Sequence, residues 1–325
     1  MNNDPAGIDD TERRLAWILG SSRTGSTWLL RMLVHPWRLV RDLPGVAPAK
    51  GASERGPAIV PINETYISTH LAPLVGSEEG RGQANDHLFV HDLKGDRPSY
   101  FLSRSYEEVW RPEFRRMALL RLQAQATDAA RELGIEEETP SIVVKEPNGS
   151  HGAQLLMSLL PQSRLIFLMR DGRDVIDSQL ALRLHEGQWQ RRHREHAQVV
   201  SDKQRLRFVR SRARRWVFLM NTVDAAYAAH TPELRYRLRY EDMRSDTAGE
   251  LGKLLDWLGH ARPQEELAKT VEAHDFQNIP EEGKGPGQPA RAATAGLWRE
   301  NLTGAEQEVV AEIAGEKLQE LGYNV

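Results

Sequence analysis

A turn near the N-terminus carries residue types that can bind an anion. It reads GSSRTGSTW over Gly20–Trp28, after a short apolar run and before a pattern of helical spacing. Backbone N–H groups that converge at a helix N-terminus bind phosphate, because the helix dipole puts partial positive charge there. Ser26 stands where the P-loop pattern GxxxxGK[ST] requires lysine, whereas Arg23 places a cation inside the turn. We therefore predict a turn that binds phosphate or sulfate; the alternative is an ordinary strand-to-helix turn with a surface arginine.

A second strand end offers another candidate anion site. The apolar run Arg164–Met169 leads directly into Arg170, and Ser178 follows inside the next predicted helix. A guanidinium and a hydroxyl can together bind a phosphate that is separate from the first one. The alternative is an ion pair between Arg170 and either Asp171 or Asp174, since such pairs are common in proteins.

Together these patterns resemble the PAPS-dependent sulfotransferases, which take a sulfuryl group from 3′-phosphoadenosine 5′-phosphosulfate (PAPS). The first turn is similar to the arginine version of the family's phosphosulfate loop, found in carbohydrate, tyrosyl and bacterial members. The resemblance implies that the 5′-phosphosulfate is bound by Arg23, Thr24, Gly25, Ser26, Thr27 and Trp28. It also gives Arg23 a catalytic role and implies that Arg170 and Ser178 bind the 3′-phosphate.

Two later segments extend the resemblance. Tyr240–Met243 resembles the family's YEDL segment, which we interpret as structural, and Gly296–Thr303 resembles the closing GxW segment. Counting back from the GxW segment places Arg291 where some members carry an arginine for the 3′-phosphate. The lysine and glycine that follow it in those members are both alanine here, so Lys284 is the alternative cation. The glycine- and proline-rich composition of 275–296 predicts a mobile segment that orders over the cofactor.

Sulfuryl transfer needs in-line geometry, stabilised charge on the transferring group and a base for the attacking hydroxyl. Candidates for the base are Glu64, Glu146 and His151. The segment Pro61–Thr65 resembles the part of tyrosylprotein and related sulfotransferases in which a glutamate acts as base, so Glu64 is the first choice. The alternative is an acid that complements a helix dipole. The turn KEP resembles the family's KxP turn, which implies that Lys145 stabilises charge on the sulfate and the leaving oxygen.

Strand and helix patterns alternate along the chain. Apolar runs predict buried strands at Leu15–Leu19, Ile142–Val144, Arg164–Met169 and Tyr236–Tyr240. Helices are predicted at 25–34, 65–75, 107–133, 152–160, 173–184, 205–228, 246–259 and 303–321, and loops at 36–61 and 76–98. This alternation predicts an α/β fold, a P-loop-like three-layer sandwich with a central parallel sheet and helices on both faces. Ligands of such sheets bind at the carboxyl ends of strands, where the candidate residues lie.

Bulk composition limits the class of protein. The net charge of −3 gives no global reason to expect nucleic acid or an anionic membrane as partner. The absence of cysteine excludes disulfides and thiolate chemistry, and no residue group has the spacing of a metal site. The start MNNDPAGIDD lacks the features of a signal peptide, and no apolar run approaches the roughly 20 residues of a membrane span. We expect a flexible tail over 1–13, a single domain over 14–325 and a cytoplasmic location.

These predictions converge on sulfuryl transfer from PAPS to a hydroxyl of a small-molecule, glycan or lipid acceptor, with release of PAP. One alternative is a P-loop kinase-like phosphotransferase that uses ATP, which the missing P-loop lysine disfavours. Another is a binding module that keeps the nucleotide pocket and binds PAP without turnover. The regions 36–61, 76–140 and 184–204 match no motif, so we expect acceptor choice to lie there. The sequence leaves the oligomeric state open.

Overall fold

The computed structural model of the chain describes residues 5–34, 59–67, 98, 103–135, 139–184, 201–279, 281–285, 288, 290, 292 and 294–324. Arg291, most of the predicted loops at 36–61 and 76–98, and most of the predicted helix at 65–75 lie outside these residues. The chain divides into two compact units. The first contains Met1–Ser21, Ser53–Leu168 and Asn221–Leu238, and the second contains Ser22–Ala52, Met169–Met220 and Arg239–Val325.

The first unit contains a five-stranded parallel sheet. Its strands are β1 (Leu15–Gly20), β2 (Ile59–Asn63), β3 (Ser141–Lys145), β4 (Arg164–Met169) and β5 (Arg235–Arg239). Their order across the sheet is β2-β3-β1-β4-β5, so β1 is central and pairs in parallel with both β3 and β4. All six residues of β1 are buried, as expected for the middle strand of a parallel sheet. The predicted α/β class and its central parallel sheet are confirmed.

Strand β2 was not predicted, because its neighbourhood is rich in glycine and proline and reads as a loop. Pro61 lies inside β2 and aligns with Val143 of β3. Proline has no N–H to donate, so it is tolerated in a strand only where one side of that strand lacks a partner strand. β2 is an edge strand of the sheet, which satisfies this condition.

The α-helices of the described residues follow in chain order. They are α1 (Pro5–Arg13), α2 (Ser26–Leu33), α3 (Glu107–Leu133), α4 (Ala153–Leu159), α5 (Gly172–Leu184), α6 (Asp202–Ala229), α7 (Tyr240–Ser245), α8 (Thr247–Trp257), α9 (Gln264–Ala273), α10 (Trp298–Asn301) and α11 (Gly304–Glu320). Thr303 caps α11 as predicted, in a reciprocal capping box with Glu306. None of these helices combines the length and the apolarity that a membrane span requires. The cytoplasmic location stays a prediction.

Residues 5–13 form helix α1 where the sequence analysis placed a flexible tail, which is a correction. Glu12 is fully buried, and its carboxylate accepts hydrogen bonds from the N–H of Gln162 and from Arg115 on α3. Arg115 also pairs with Asp9 at 2.7 Å. Sequence inspection missed this helix because its residues are mostly polar, and the partners that bury them lie over 100 positions away. A single domain over 14–325 stays a prediction.

In the second unit, the helices pack in two groups. Helices α2 and α9 pack against α8, whereas α10 and α11 pack against α5. Arg262, just before α9, donates to the carbonyl oxygen of Leu33 at the end of α2, at 2.9 Å. These contacts pack α2 and α5, the two helices at or next to which the anion-binding residues were predicted.

Candidate functional site

The turn after β1 has the backbone that its residue types predicted. Gly25 is in the left-handed region, with φ 85°, and immediately precedes α2. A Cβ at this position would lie 2.8 Å from the ring of Tyr240, so conformation and space both require glycine. Arg23 also has a positive φ of 72°, which is uncommon for a residue with a side chain. The turn therefore opens α2 directly, with Thr24 and Ser26 buried.

Three predicted phosphate-binding residues come together in the second unit. The Nε of Arg23 donates to the Oγ of Ser178 at 3.0 Å. An Nη of Arg170 donates to the backbone oxygen of Arg23 at 2.9 Å. The structure therefore joins the first predicted anion site to the second one. Among the described residues, Arg170 makes no ion pair with Asp171 or Asp174. Asp171 binds Arg173 at 2.8 Å, and Asp174 accepts backbone N–H groups.

Arg170 is suited to bind an anion. Its guanidinium lies over the ring of Tyr240, 4.3 Å from the ring centroid, and its side chain is largely buried. Within the described part of the chain, the buried Nε of Arg170 has no hydrogen-bond partner. A buried donor without a partner costs roughly 1–3 kcal/mol, and an anionic oxygen is the strongest acceptor that can remove this cost.

Tyr240 has a wider role than the structural one expected for the YEDM segment. Its ring lies between Gly25 and Arg170, and it makes an edge contact with Trp28 at 6.1 Å between ring centroids. The indole N–H of Trp28 donates to the carbonyl of His274. Tyr240 thus shapes both predicted anion sites. Besides the YEDL-like segment, the signal in the sequence was its position at the end of a strand, where functional side chains of parallel sheets concentrate.

The residue after Arg170 is held by an unpredicted carboxylate. The N–H of Asp171 donates to Glu241 at 2.9 Å, and the hydroxyl of Tyr323 reaches the other carboxylate oxygen of Glu241 at 3.2 Å. Burial raises the pKa of Glu241 and also that of Tyr323. Sequence reasoning could not find this contact, because Tyr323 lies 82 positions from Glu241.

The predicted base and its lysine come together in the first unit. The Nζ of Lys145 donates to Glu64 Oε1 at 2.8 Å, and the amide of Asn148 donates to Oε2 at 2.6 Å. The N–H of Glu64 binds the backbone oxygen of Lys145 at 2.9 Å, which continues the β2–β3 pairing. Both side chains are mostly buried. Asn148 was not predicted as a site residue, although it lies in the turn that contains Lys145.

Burial and pairing act in opposite directions on Glu64. Burial alone raises the pKa of its carboxyl, since water no longer stabilises the charge. The charge and hydrogen bond of Lys145, with further hydrogen bonds from Asn148 and Tyr66, outweigh burial, so the pKa of Glu64 is lowered. Glu64 is therefore a carboxylate at neutral pH, the state in which it can accept a proton.

The second candidate base has a different environment. Glu146 is fully buried, and its Oε2 accepts hydrogen bonds from the N–H of Thr65 at 2.6 Å, the hydroxyl of Thr65 at 2.8 Å and the N–H of Tyr66 at 3.1 Å. Burial raises its pKa, and the nearby charge of Glu64 adds to this rise. The third candidate, His151, is buried in a 3₁₀ helix over Pro147–Gly152.

The remaining predicted cation is already engaged. The Nζ of Lys284 donates to the backbone oxygen of Gln277 and to Glu281, each at 2.9 Å. No group of three or more potential metal ligands occurs among the residues that the structure describes. The predicted site residues of the second unit are thus Arg23–Trp28, Arg170 and Ser178, and those of the first unit are Glu64 and Lys145.

The parallel sheet and the glycine turn after β1 define a P-loop-like α/β protein, and comparison with known proteins narrows this class. The model of the Sulfotransferase family matches residues 16–264, well over half of the chain. The chain therefore belongs to the sulfotransferase family. No curated protein matches its sequence.

Several solved structures resemble the chain. The sulfotransferase domain of the Synechococcus PCC 7002 olefin synthase is 18% identical, with a TM-score of 0.46, over 96% of this chain and 95% of that one. Sulfotransferase STF9 from Mycobacterium avium is 17% identical, with a TM-score of 0.47, over 96% of this chain and 78% of that one. A retinol dehydratase, crystallised with androsterone and inactive cofactor PAP, is 14% identical, with a TM-score of 0.47, over 96% of this chain and 82% of that one.

Proposed function

We propose that this sulfotransferase moves a sulfuryl group from PAPS to the hydroxyl of a small-molecule, glycan or lipid acceptor and releases PAP. The observation that carries the proposal is the joined arrangement of Arg23, Ser178 and Arg170 beside the glycine turn. Two cations and a hydroxyl at two strand ends suit a ligand with two separate anionic groups. A donor that carries both a 5′-phosphosulfate and a 3′-phosphate is such a ligand.

The residues of the second unit take the binding roles. The turn from Arg23 to Trp28 supplies backbone N–H groups at the start of α2, together with the Arg23 guanidinium, for the 5′-phosphosulfate. Arg170 and Ser178 bind the 3′-phosphate, and the buried Nε of Arg170 provides a donor for it. Arg291, which lies outside the described residues, is a further candidate for the same phosphate.

The residues of the first unit take the chemical roles. PAPS supplies an activated sulfuryl group whose S–O bond to the nucleotide phosphate breaks during transfer. Glu64 accepts the proton of the acceptor hydroxyl as the acceptor oxygen bonds to sulfur. Lys145 neutralises charge that develops on the transferring group and the leaving oxygen, and it keeps Glu64 ionised beforehand. Asn148 holds the second oxygen of Glu64.

Calorimetric titration with PAP tests the donor, with ATP–Mg²⁺ and 5′-AMP as competing ligands. We expect PAP to bind with about micromolar affinity, and to lose about 10- to 100-fold in Arg23→Ala and in Arg170→Ala, since each removes charge-assisted hydrogen bonds. Arg131→Ala is the matched control, because Arg131 is exposed and pairs with the exposed Asp128 of its own helix. If ATP–Mg²⁺ binds and PAP does not, the proposal is wrong and the phosphotransferase is favoured.

A second experiment identifies the acceptor and separates an enzyme from a binding module. The protein is incubated with ³⁵S-labelled PAPS and a panel of phenols, aliphatic alcohols, oligosaccharides and lipid alcohols. We expect label to appear in at least one product with release of an equal amount of PAP. PAP binding without any labelled product would identify a non-catalytic module.

A further inference from the structure

One turn of the first unit has an unusual backbone. Among the described residues, only Arg23, Glu64 and Tyr66 combine a side chain with a positive φ. Two of them flank Thr65, with φ 37° at Glu64 and 56° at Tyr66. A large side chain such as tyrosine is disfavoured in this region, so surrounding contacts must hold the turn in place. Such strain concentrates at functional sites.

The contacts that hold this turn converge on one carboxylate oxygen. Glu146 Oε2 receives both successive backbone N–H groups of the turn, from Thr65 and Tyr66, and the Thr65 hydroxyl as well. Glu146 itself is anchored to the sheet, because it follows β3 and its N–H donates to the oxygen of Ile18 in β1 at 3.0 Å. The buried side chain of Glu146 therefore ties Thr65 and Tyr66 of the strained turn to the central strands.

We infer that Glu146 is a positioning residue that holds the 64–66 turn so that the Glu64 carboxylate stays on Lys145 and Asn148. The inference rests on the proposed function, in which Glu64 is the base. In this role one oxygen of Glu146 accepts three hydrogen bonds from the turn. Its other oxygen is buried and has no partner within the described residues.

A role in positioning differs from a role in stability alone, and the chain offers a matched control. Glu12 is also a fully buried carboxylate of the first unit, and it accepts a backbone N–H from Gln162 at 2.7 Å. It lies on α1 and, among the residues that the structure describes, makes no hydrogen bond to the 64–66 turn. Glu12→Ala should therefore destabilise the protein as Glu146→Ala does, but leave Glu64 and Lys145 in place.

The first test needs no acceptor. Lys145 is labelled with acetic anhydride in the full-length protein, and its acetylation rate is measured by mass spectrometry. In Glu146→Ala we expect this rate to rise about tenfold, to the level of Glu64→Gln, which corresponds to losing roughly one hydrogen bond to a charged group. Glu12→Ala should keep the wild-type rate. A wild-type labelling rate in Glu146→Ala would overturn the inference.

The second test measures turnover with the alcohol of the panel that gives the fastest PAP release. In Glu146→Ala we expect kcat to fall about 10- to 100-fold, as for a misplaced catalytic group, with PAP affinity unchanged. Glu146→Gln keeps an acceptor oxygen and should stay within about threefold of wild type. If Glu146→Ala keeps full kcat while Glu64→Gln loses it, the positioning role of Glu146 is rejected and the proposed base is retained. Full kcat in Glu64→Gln rejects the base on which the inference rests.

Discussion

At the scale of single residues, the carboxyl of Glu64 shows how two electrostatic effects of opposite sign are resolved. Burial favours the neutral acid, whereas a lysine at 2.8 Å favours the carboxylate. The interaction with Lys145 and the hydrogen bonds outweigh burial, so the pKa of Glu64 is lowered. A base with a lowered pKa is ionised over a wide pH range, but it is a weaker proton acceptor than one tuned to neutrality. In the proposed mechanism, the position of Glu64 therefore contributes more to proton transfer than its basicity does.

Removing the lysine should reverse the balance. Wild-type kcat/KM should stay level as pH falls, and decline only when the lowered pKa of Glu64 is reached, because the active form is the carboxylate. In Lys145→Met the effect of burial remains without its counterion, so the pKa rises and the acid limb moves to higher pH. The pH profile of kcat/KM measures the shift.

The control for this experiment is Lys269→Met, since Lys269 pairs with Glu265 on an exposed helix face. Its profile should overlay the wild-type curve. An acid limb that stays in place in Lys145→Met would mean that Lys145 does not set the charge of Glu64.

Tyr240 is the second residue for which the structure makes a sharp prediction. A cation over an aromatic face gains about 0.5–2 kcal/mol, depending on how far it is desolvated. Tyr240→Leu should therefore weaken PAP binding by about that amount, because Arg170 loses the ring that holds it. Tyr240→Phe keeps the ring and should bind PAP as wild type does. Equal losses in both variants, measured by calorimetry, would point to the hydroxyl instead.

At the scale of elements, the structure depends on short turns between strands and helices. The turn before α2 is the clearest case, because Gly25 meets Tyr240 and has a left-handed backbone. Gly25→Ala should lower the free energy of unfolding by about 1–3 kcal/mol, through strain and overlap with the ring. It should also weaken PAP binding, since the N–H groups of the turn move.

Urea unfolding and calorimetry measure these two effects of Gly25→Ala. Gly304→Ala is the matched control, because no described residue lies within 4 Å of its added Cβ outside its own helix and chain neighbours. Its free energy of unfolding should be unchanged or slightly higher. Wild-type stability in Gly25→Ala would mean that α2 can start without this glycine.

The elements also show how far sequence reasoning reaches. Strands β1, β3, β4 and β5 were predicted, because each has a local sequence pattern that indicates a buried strand without knowledge of its neighbouring strands. Strand β2 was hidden, since Pro61 is compatible only with an edge position that no local pattern reveals. Helix α1 was hidden because its buried acid depends on Arg115, far along the chain. Elements with a local sequence pattern can therefore be predicted, whereas elements that depend on distant partners cannot.

The same limit applies to the candidate site. Arg23, Ser178 and Arg170 could be predicted because the turn and the strand end each have a local pattern. The residues that hold them, Tyr240 and Glu241, were missed or given only a structural role. Their contacts join segments 70 or more positions apart, as in the bond from Asp171 to Glu241. The sequence predicts reactive groups better than it predicts their supports.

At the scale of the whole molecule, long-range contacts bring the C-terminal residues to the strand-end turn at Asp171. Tyr323 is buried under the guanidinium of Arg239 at 4.4 Å and reaches Glu241, which holds the N–H of Asp171. Arg173 donates to the backbone oxygen of Asn324 at 2.6 Å. The last residues of the chain thus support the turn next to Arg170.

Tyr323→Leu tests this support. We expect the free energy of unfolding to fall by about 1–3 kcal/mol, because the variant removes a buried hydroxyl from the partner it shares with Asp171. PAP affinity should fall as well, through the turn at Arg170. Tyr106→Leu is a suitable control, since Tyr106 is largely exposed. A variant with normal stability and normal PAP affinity would show that the C-terminal contact has no influence on the site.

The two edge strands of the sheet have a consequence for how copies of this protein behave beside one another. An exposed strand edge can pair with a strand of another chain and start aggregation. At one edge β2 carries Pro61, which cannot donate a hydrogen bond, and at the other β5 alternates Arg235, Arg237 and Arg239. The missing donor on β2 and the charged side chains on β5 both oppose such pairing. Among the described residues, each border of the sheet therefore protects the protein against intermolecular β-pairing at high concentration.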